Sequence, residues 1–137
     1  MKKRVLLTGG AGYIGSHTAL ELLEHGYDVI IYDNLSNSSR VAIDRVEEIT
    51  GKKITFYEAD ILDTDFLRKV LVDEKIDIVI HFAALKAVGE SVQNPLKYYH
   101  NNLTGTLSLL NAMEEVGCKN IIFSSSATVY GDAAKTP

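Results

Sequence analysis

The sequence predicts an α/β fold built on a doubly wound parallel sheet of five strands. Short apolar runs rich in β-branched residues alternate with longer segments whose apolar residues recur at helical spacing. The runs are almost continuously apolar, which is typical of strands buried on both faces of a parallel sheet. The 137 residues give room for one domain, covering 1–137.

Five runs predict the strands, and each is bounded by turn residues or by a helical pattern. The first run leads into a glycine-rich stretch, and the fourth reads IDIVIHF. In chain order, the predicted strands cover residues 4–8, 28–32, 53–58, 76–82 and 120–124.

The segments between the strands predict helices at 14–25, 41–49, 65–73 and 95–116. Gly26 and Gly117 stand where glycine commonly ends a helix, and Pro95 stands where proline commonly begins one. The last helix is long and places four apolar residues on roughly one face. That face could pack against a second copy or lie inside the fold; its residues are Leu103, Leu107, Leu110 and Met113.

Composition excludes several classes of protein. A net charge of −4 argues against a nucleic-acid binder, which usually carries a basic face. No apolar run approaches the roughly 18 residues that a membrane-spanning helix needs. Cys118 is the only cysteine, so no disulfide or cysteine metal cluster is expected, and a cytoplasmic location is predicted.

The stretch TGGAGYIG at residues 8–15 lies between the first strand and the first helix. Gly9, Gly12 and Gly15 repeat at three-residue spacing. Gly9 would allow the tight turn, Gly12 would let backbone N–H groups reach a pyrophosphate at the helix N-terminus, and Gly15 would let the helix pack closely. A glycine-rich turn that binds nothing is the alternative. The context favours a dinucleotide site.

Asp33 follows the second strand, 18 residues after Gly15. This is near the offset of roughly 20 residues at which an acidic side chain binds the adenosine ribose hydroxyls. A carboxylate there would repel a 2′-phosphate, so NAD is predicted over NADP. The alternative is a solvated aspartate in a turn.

Several linked motifs together resemble the extended short-chain dehydrogenase/reductase family, which has a Rossmann-type fold. The motifs are TGGAGYIG, YDN at 32–34, AD at 59–60, HFAALKAVGES at 81–91, NN at 101–102 and SSSATVYGD at 124–132. The resemblance covers essentially the whole chain. It implies an NAD-dependent enzyme that interconverts UDP-glucose and UDP-galactose through a 4-keto intermediate, acting as a homodimer.

The resemblance also implies site residues. Asp60 and Ile61 would border the adenine, and small residues after the fourth strand would leave room for the second ribose. Lys86 would face cofactor and substrate, and Ser126 would hydrogen-bond the sugar hydroxyl that is oxidised. His81 is expected to be a core histidine near the cofactor. The other cofactor-binding positions implied are Tyr13, Ile14, Asn34, Phe82, Ala83, Ala84 and Asn101.

Residues after Ser126 distinguish between reactions of the family. Related nucleotide-sugar dehydratases carry adjacent Asp and Glu there as acid and base, whereas this chain has Ala127 and Thr128. None of the seven tyrosines has a lysine four positions later, as the family's Tyr-x-x-x-Lys motif requires. The chain is therefore expected to be the N-terminal part of a longer enzyme, without its substrate domain and inactive alone. Another enzyme of the family, a decarboxylase or reductase, and a non-catalytic NAD-binding module are the alternatives.

Overall fold

The computed structural model describes residues 2–85 and 88–125. Its centre is one sheet of five parallel strands, which are β1 (Arg4–Thr8), β2 (Asp28–Asp33), β3 (Thr55–Glu58), β4 (Ile78–His81) and β5 (Asn120–Phe123). Their order across the sheet is β3-β2-β1-β4-β5. The chain therefore winds outwards from β1 in both directions, which confirms the predicted doubly wound sheet.

The helices agree with the prediction in number and order, with one addition. The helices are α1 (Tyr13–Glu24), α2 (Arg40–Thr50), α3 (Thr64–Asp73), α4 (Val88–Gln93), α5 (Pro95–Tyr99) and α6 (Gly105–Val116). The short helix α4 was not predicted from the sequence, because six residues that include Gly89 show no helical period. The predicted long helix at 95–116 is present, with a wider π-helical turn, His100–Thr104, between α5 and α6.

The core lies in two layers, one on each face of the sheet. Alternate residues of a strand point to opposite faces, so Leu6 and Leu7 of β1 belong to different layers. Leu6 packs in the layer that contains α3 and α6, whereas Leu7 packs in the layer that contains α1 and α2. Both side chains are fully buried. Helices on both faces explain why the middle residues of β1, β2 and β4 are apolar and buried.

The apolar face predicted on the long helix is only partly right. Leu103 and Leu107 are each 58% exposed and Leu110 is 41% exposed, but Met113 is only 3% exposed and belongs to the core. At 3.6 residues per turn, Met113 lies about 60° round the helix from Leu110, towards the buried Leu109 and Ala112. In the described part of the chain, none of the helices has the length and apolar character needed to cross a bilayer.

Candidate functional site

A cavity of about 400 Å³ opens at the carboxyl edge of the sheet, above the ends of β1, β2 and β4. In a doubly wound sheet this edge is where ligands bind, at the point where the winding direction reverses. We call its two sides the β2 half and the β4 half. The β2 half includes Gly9, Gly12, Tyr32, Asp33, Asn34, Ala59 and Ile61, and the β4 half consists of Phe82, Ala83, Ala84, Leu85, Glu90 and Asn101.

The glycine turn after β1 brings both halves together. Gly9 has a positive φ of +71°, which L side chains rarely adopt, and its N–H donates to Tyr32 O at 2.8 Å. A Cβ at Gly9 would stand 2.7 Å from Ala83 N, so the turn lies directly against the end of β4. A Cβ at Gly15 would stand 2.7 Å from Gly10 Cα, so α1 packs closely on the loop before it. Only glycine fits these two contacts.

The N-terminus of α1 lines the cavity. Gly12 is the N-cap and supplies no side chain, and a Cβ there would meet only Gly9 O, at 3.4 Å. Tyr13 and Ile14 of the first turn are largely exposed. The first N–H groups of a helix have no acceptor within the helix, and the helix dipole places partial positive charge at this end. The lining is therefore suited to an anionic group such as a diphosphate.

Asp33 ends β2 with its carboxylate fixed at the cavity wall. Oδ2 accepts from the backbone N–H of Ala11 at 3.0 Å, and Oδ1 accepts from Leu35 N–H at 2.9 Å and from Ser38 Oγ at 3.2 Å. The residue is only 9% exposed. Asp33 is thus not a solvated turn residue. Its carboxylate joins the glycine turn to the loop after β2 and gives this wall a negative group.

Ile61 and Tyr32 form the far wall of the β2 half. Ile61 is 5% exposed and packs against Gly105, where a Cβ would lie 2.7 Å from Ile61 Cγ2. Tyr32 Oη donates to Asp60 O at 2.8 Å. Burial, followed by the nearby charges of Asp63 and Asp60, raises the pKa of Tyr32 well above its usual value. This phenol therefore stays protonated and acts as a structural donor, not as a base.

The wall of the β4 half is held from outside the cavity. Asn102 Oδ1 accepts from Leu85 N–H at 2.8 Å, and Asn102 Nδ2 donates to Leu85 O at 2.9 Å. Glu90, at the rim, accepts from Lys97 Nζ and from Tyr98 Oη, and the bond from Lys97 is the larger cause that lowers the pKa of its carboxyl. Glu90 thus adds a second carboxylate to the lining.

His81 lies buried beneath the cavity, as expected of a core histidine. It is 2% exposed, with Nδ1 at 2.5 Å from Thr8 Oγ1 and Nε2 at 3.0 Å from Thr106 Oγ1. These contacts connect the ends of β1 and β4 to the beginning of α6. His81 does not line the cavity, so its position supports no role as a base there.

Most of the site residues predicted from the sequence lie together in this cavity. Asp60 lies in sequence between two lining residues but does not itself line the cavity. Its side chain is exposed, and Oδ1 accepts a hydrogen bond from Leu62 N–H at 2.9 Å. Lys86 and Ser126 lie outside the described residues. The predicted residues that line the cavity are Gly9, Gly12, Tyr13, Ile14, Gly15, Asp33, Asn34, Ile61, Phe82, Ala83, Ala84 and Asn101.

The cavity also has lining residues that the sequence analysis missed. Three of them, Ser36, Asn37 and Ser38, form a short polar run directly after Asp33, and that run could have been recognised as part of the site. The other four lie within the motifs YDN, AD and HFAALKAVGES, but they were not named as site residues. These are Tyr32, Ala59, Leu85 and Glu90.

The fold and the cavity define a Rossmann-type domain. A model of the family described as GDP-mannose 4,6 dehydratase matches residues 6–137. A UDP-glucose 4-epimerase of Bacillus subtilis is 63% identical over 97% of this chain and 39% of its own length. A UDP-glucose 4-epimerase sequence of Klebsiella pneumoniae is 57% identical over 98% of this chain and 96% of its own length.

Solved structures agree with these matches. The UDP-glucose 4-epimerase of Bifidobacterium longum, in complex with NAD⁺ and UDP, superposes with a TM-score of 0.95 at 56% identity, over 98% of this chain and 40% of that one. The chain belongs to the family of the model that matches residues 6–137, and the three relatives named above are UDP-glucose 4-epimerases. It spans about 40% of the length of the Bacillus subtilis and Erwinia amylovora relatives.

Proposed function

We propose that this chain forms the NAD-binding part of a UDP-glucose 4-epimerase. The observation that carries the proposal is the meeting of the α1 N-terminus and the Asp33 carboxylate on one cavity, across the glycine turn. A volume of about 400 Å³ lies within the usual range of ligand sites. The Bifidobacterium longum relative is described with NAD⁺ and UDP bound, which supports the choice of cofactor.

The two halves of the cavity would hold the two halves of the cofactor. The adenosine belongs in the β2 half, where Asp33 and Asn34 would accept from the ribose hydroxyls and Ile61 would pack on the adenine, with Asp60 beside it. The fixed negative charge of Asp33 would repel a 2′-phosphate and favour NAD over NADP. The diphosphate belongs at the first turn of α1, near Gly12, Tyr13, Ile14 and Gly15.

The β4 half would then take the nicotinamide and its ribose. Ala83 and Ala84 have short side chains and leave space beside the backbone of the loop. Asn101 lines this half with a polar amide, and Lys86 and Ser126 are proposed to stand near the nicotinamide and the sugar. NAD, when bound, supplies a hydride acceptor for oxidation of the sugar at C4. This chain's residues bind and orient the cofactor for that step.

The proposed reaction is the interconversion of UDP-glucose and UDP-galactose. Its support is the set of epimerase relatives, together with Ala127 and Thr128, which lack the acid and base that elimination of water requires. Ser126 is the proposed hydrogen-bonding partner of the sugar hydroxyl. Since no tyrosine of this chain has a lysine four residues later, the chain alone is predicted to bind NAD without epimerising UDP-sugars.

We also propose that the long helix mediates a homodimer. Leu103, Leu107 and Leu110 are exposed on one face of it, and Leu96 and Tyr99 continue that face into α5 with 81% and 63% exposure. Contiguous exposed apolar side chains of this kind mark protein interfaces. The cytoplasmic location stays a prediction from the single cysteine.

Conversion of UDP-galactose by the full-length protein tests the function. The expected product is UDP-glucose, formed with no net consumption of NAD, and Ser126→Ala is expected to lower kcat by about 100-fold, as loss of one donor in an active site commonly does. Net formation of NADH or release of carbon dioxide would identify the reductase or decarboxylase alternative. Binding of NAD without any binding of UDP-sugars would identify the non-catalytic module.

A further inference from the structure

The side chain of Asn102 hydrogen-bonds to both backbone groups of Leu85, a residue of the cavity wall. It accepts from Leu85 N–H at 2.8 Å and donates to Leu85 O at 2.9 Å, across 17 residues of sequence. At the other end of the same loop, Phe82 N–H donates to Thr8 O at 2.8 Å. The segment 82–85 is thus fixed at both ends, and Ala83 and Ala84 between them face the cavity.

The backbone of Asn102 is itself fixed, within the π-helical turn. Thr106 Oγ1 donates to Asn102 O at 2.6 Å and lies 3.0 Å from His81 Nε2. A threonine hydroxyl has one hydrogen, so Thr106 Oγ1 must accept from His81, and Nε2 carries the hydrogen. His81 Nδ1 in turn contacts Thr8 Oγ1 at 2.5 Å. A line of hydrogen bonds therefore runs from the end of β1 to the wall of the β4 half.

Asn102 also orients its neighbour. Asn101 Nδ2 donates to Asn102 Oδ1 at 3.2 Å, so this one oxygen accepts hydrogen bonds from both Leu85 N–H and Asn101 Nδ2. Asn101 lines the cavity, whereas Asn102 does not. Asn102 therefore positions two lining residues, Leu85 and Asn101, without itself lining the cavity.

We propose that Asn102 is a positioning residue for the β4 half, supported by Thr106 and His81, and that it sets affinity for the nicotinamide riboside part of the cofactor alone. The inference rests on the proposed NAD site. None of the described hydrogen bonds of Asn102 reaches the β2 half, where Asp33 and the glycine turn have their own partners. Loss of Asn102 should therefore weaken NAD and spare ADP.

The test compares NAD and ADP binding by calorimetry in the full-length protein. Asn102→Ala removes both bonds to Leu85, so NAD affinity is expected to fall about tenfold, while ADP affinity changes by less than about twofold. Thr106→Val is expected to act in the same direction, because it removes the hydroxyl that fixes Asn102 O. Thr106→Ser keeps that hydroxyl and should restore NAD affinity.

Asn94→Ala is the matched control, since Asn94 precedes α5 and its side chain caps nothing. It should bind both ligands as the unchanged protein does. Equal loss of NAD and ADP in Asn102→Ala would mean a general structural role and would overturn the proposal, as would undiminished NAD binding. A parent protein that binds ADP but not NAD, or neither, would instead reject the proposed function.

Discussion

The two halves of the cavity are built in different ways. In the β2 half, Asp33 bonds to Leu35 and Ser38, two and five residues away, and also to Ala11 in the glycine turn, 22 residues away. In the β4 half, the wall depends on bonds that span 17, 25 and 73 residues, from Asn102, Thr106 and Thr8. The β2 half therefore combines local motifs with longer-range contacts, whereas these supports of the β4 half all depend on the assembled sheet and long helix.

The difference has a consequence for substitutions. A change in the β2 half acts on groups that would touch the cofactor, whereas a change to the supports of the β4 half acts through a neighbour. Variants can thus be chosen to affect both halves, one half, or neither.

Gly9→Ala should have the largest effect, because Gly9 joins the halves. The new Cβ would stand 2.7 Å from Ala83 N at a φ of +71°. Steric overlap and backbone strain together are expected to destabilise the fold by about 2–4 kcal/mol and to abolish binding of both NAD and ADP. Thermal unfolding and calorimetry measure the two effects.

Gly26→Ala provides the control for Gly9→Ala. Gly26 has a similar φ of +85°, but a Cβ there would meet nothing within 4 Å. Strain alone should cost about 1 kcal/mol and leave binding intact. Equal effects of the two substitutions would show that the close approach to β4 is unimportant.

Asp33→Asn should affect the β2 half alone. The amide cannot accept at both positions, so one of the donors now bonded to Asp33, such as Ala11 N–H, would lose its partner. NAD affinity is expected to fall by about 10- to 100-fold, and the preference over NADP should narrow because the negative charge is gone. Titration with both cofactors checks this, with Asp44→Asn as the control expected to change little, because Asp44 is an exposed residue of α2 that does not line the cavity. An unchanged ratio of NAD to NADP affinity would contradict the role of Asp33.

Gly105→Ala should have a smaller effect on the same half. The added methyl would press on Ile61 Cγ2 and shift that side chain towards the adenine position. ADP affinity is expected to fall about threefold to tenfold, while the gain in helix propensity, about 1 kcal/mol, offsets much of the loss in stability. Gly89→Ala, which meets nothing within 4 Å, is the matched control in α4. Unchanged ADP binding in Gly105→Ala would show that Ile61 does not form the adenine wall.

The smallest effect on binding is expected at Tyr57 of β3, the outermost strand on one side of the sheet, which does not line the cavity. Tyr57 Oη donates to Glu74 Oε1 at 2.5 Å, and this bond, followed by burial, raises the pKa of Tyr57 to about 12. The unfolded chain loses this proton near pH 10, so the stabilisation is complete below pH 10 and is lost as the pH rises through 12. Tyr57→Phe should flatten the alkaline fall in unfolding free energy and leave NAD affinity unchanged. Tyr27→Phe, the control, should retain the fall in unfolding free energy at high pH. An identical pH dependence in both variants would contradict the role given to the Tyr57–Glu74 bond.

Much of the fold could be predicted because its signals are local. Apolar runs gave the five strands to within two residues at either end, and Gly117 ends the long helix at a φ of +76°. Helix α4 could not be found, since its six residues have no period. Met113 was grouped with Leu103, Leu107 and Leu110, but it is buried whereas they are exposed, because a helix stripe drifts round the axis and the neighbouring layer sets the boundary between core and solvent.

The same limit applies to the candidate site. The glycine turn and Asp33 carry a spacing that the sequence displays, and the resemblance to the family implied Phe82, Ala83, Ala84 and Asn101 in the β4 half. The resemblance implied no role for Asn102, and only the assembled structure shows that this residue holds Leu85. His81 could be placed in the core, but its bonds to Thr8 and Thr106 depend on strand pairing.

Cofactor titration of the full-length protein tests the central claim most directly. If the α1 N-terminus and Asp33 hold a dinucleotide, calorimetry should show one NAD per chain, bound at least about tenfold more tightly than NADP, because the carboxylate repels the additional phosphate. Absence of NAD binding, or equal affinity for the two cofactors, would contradict the account.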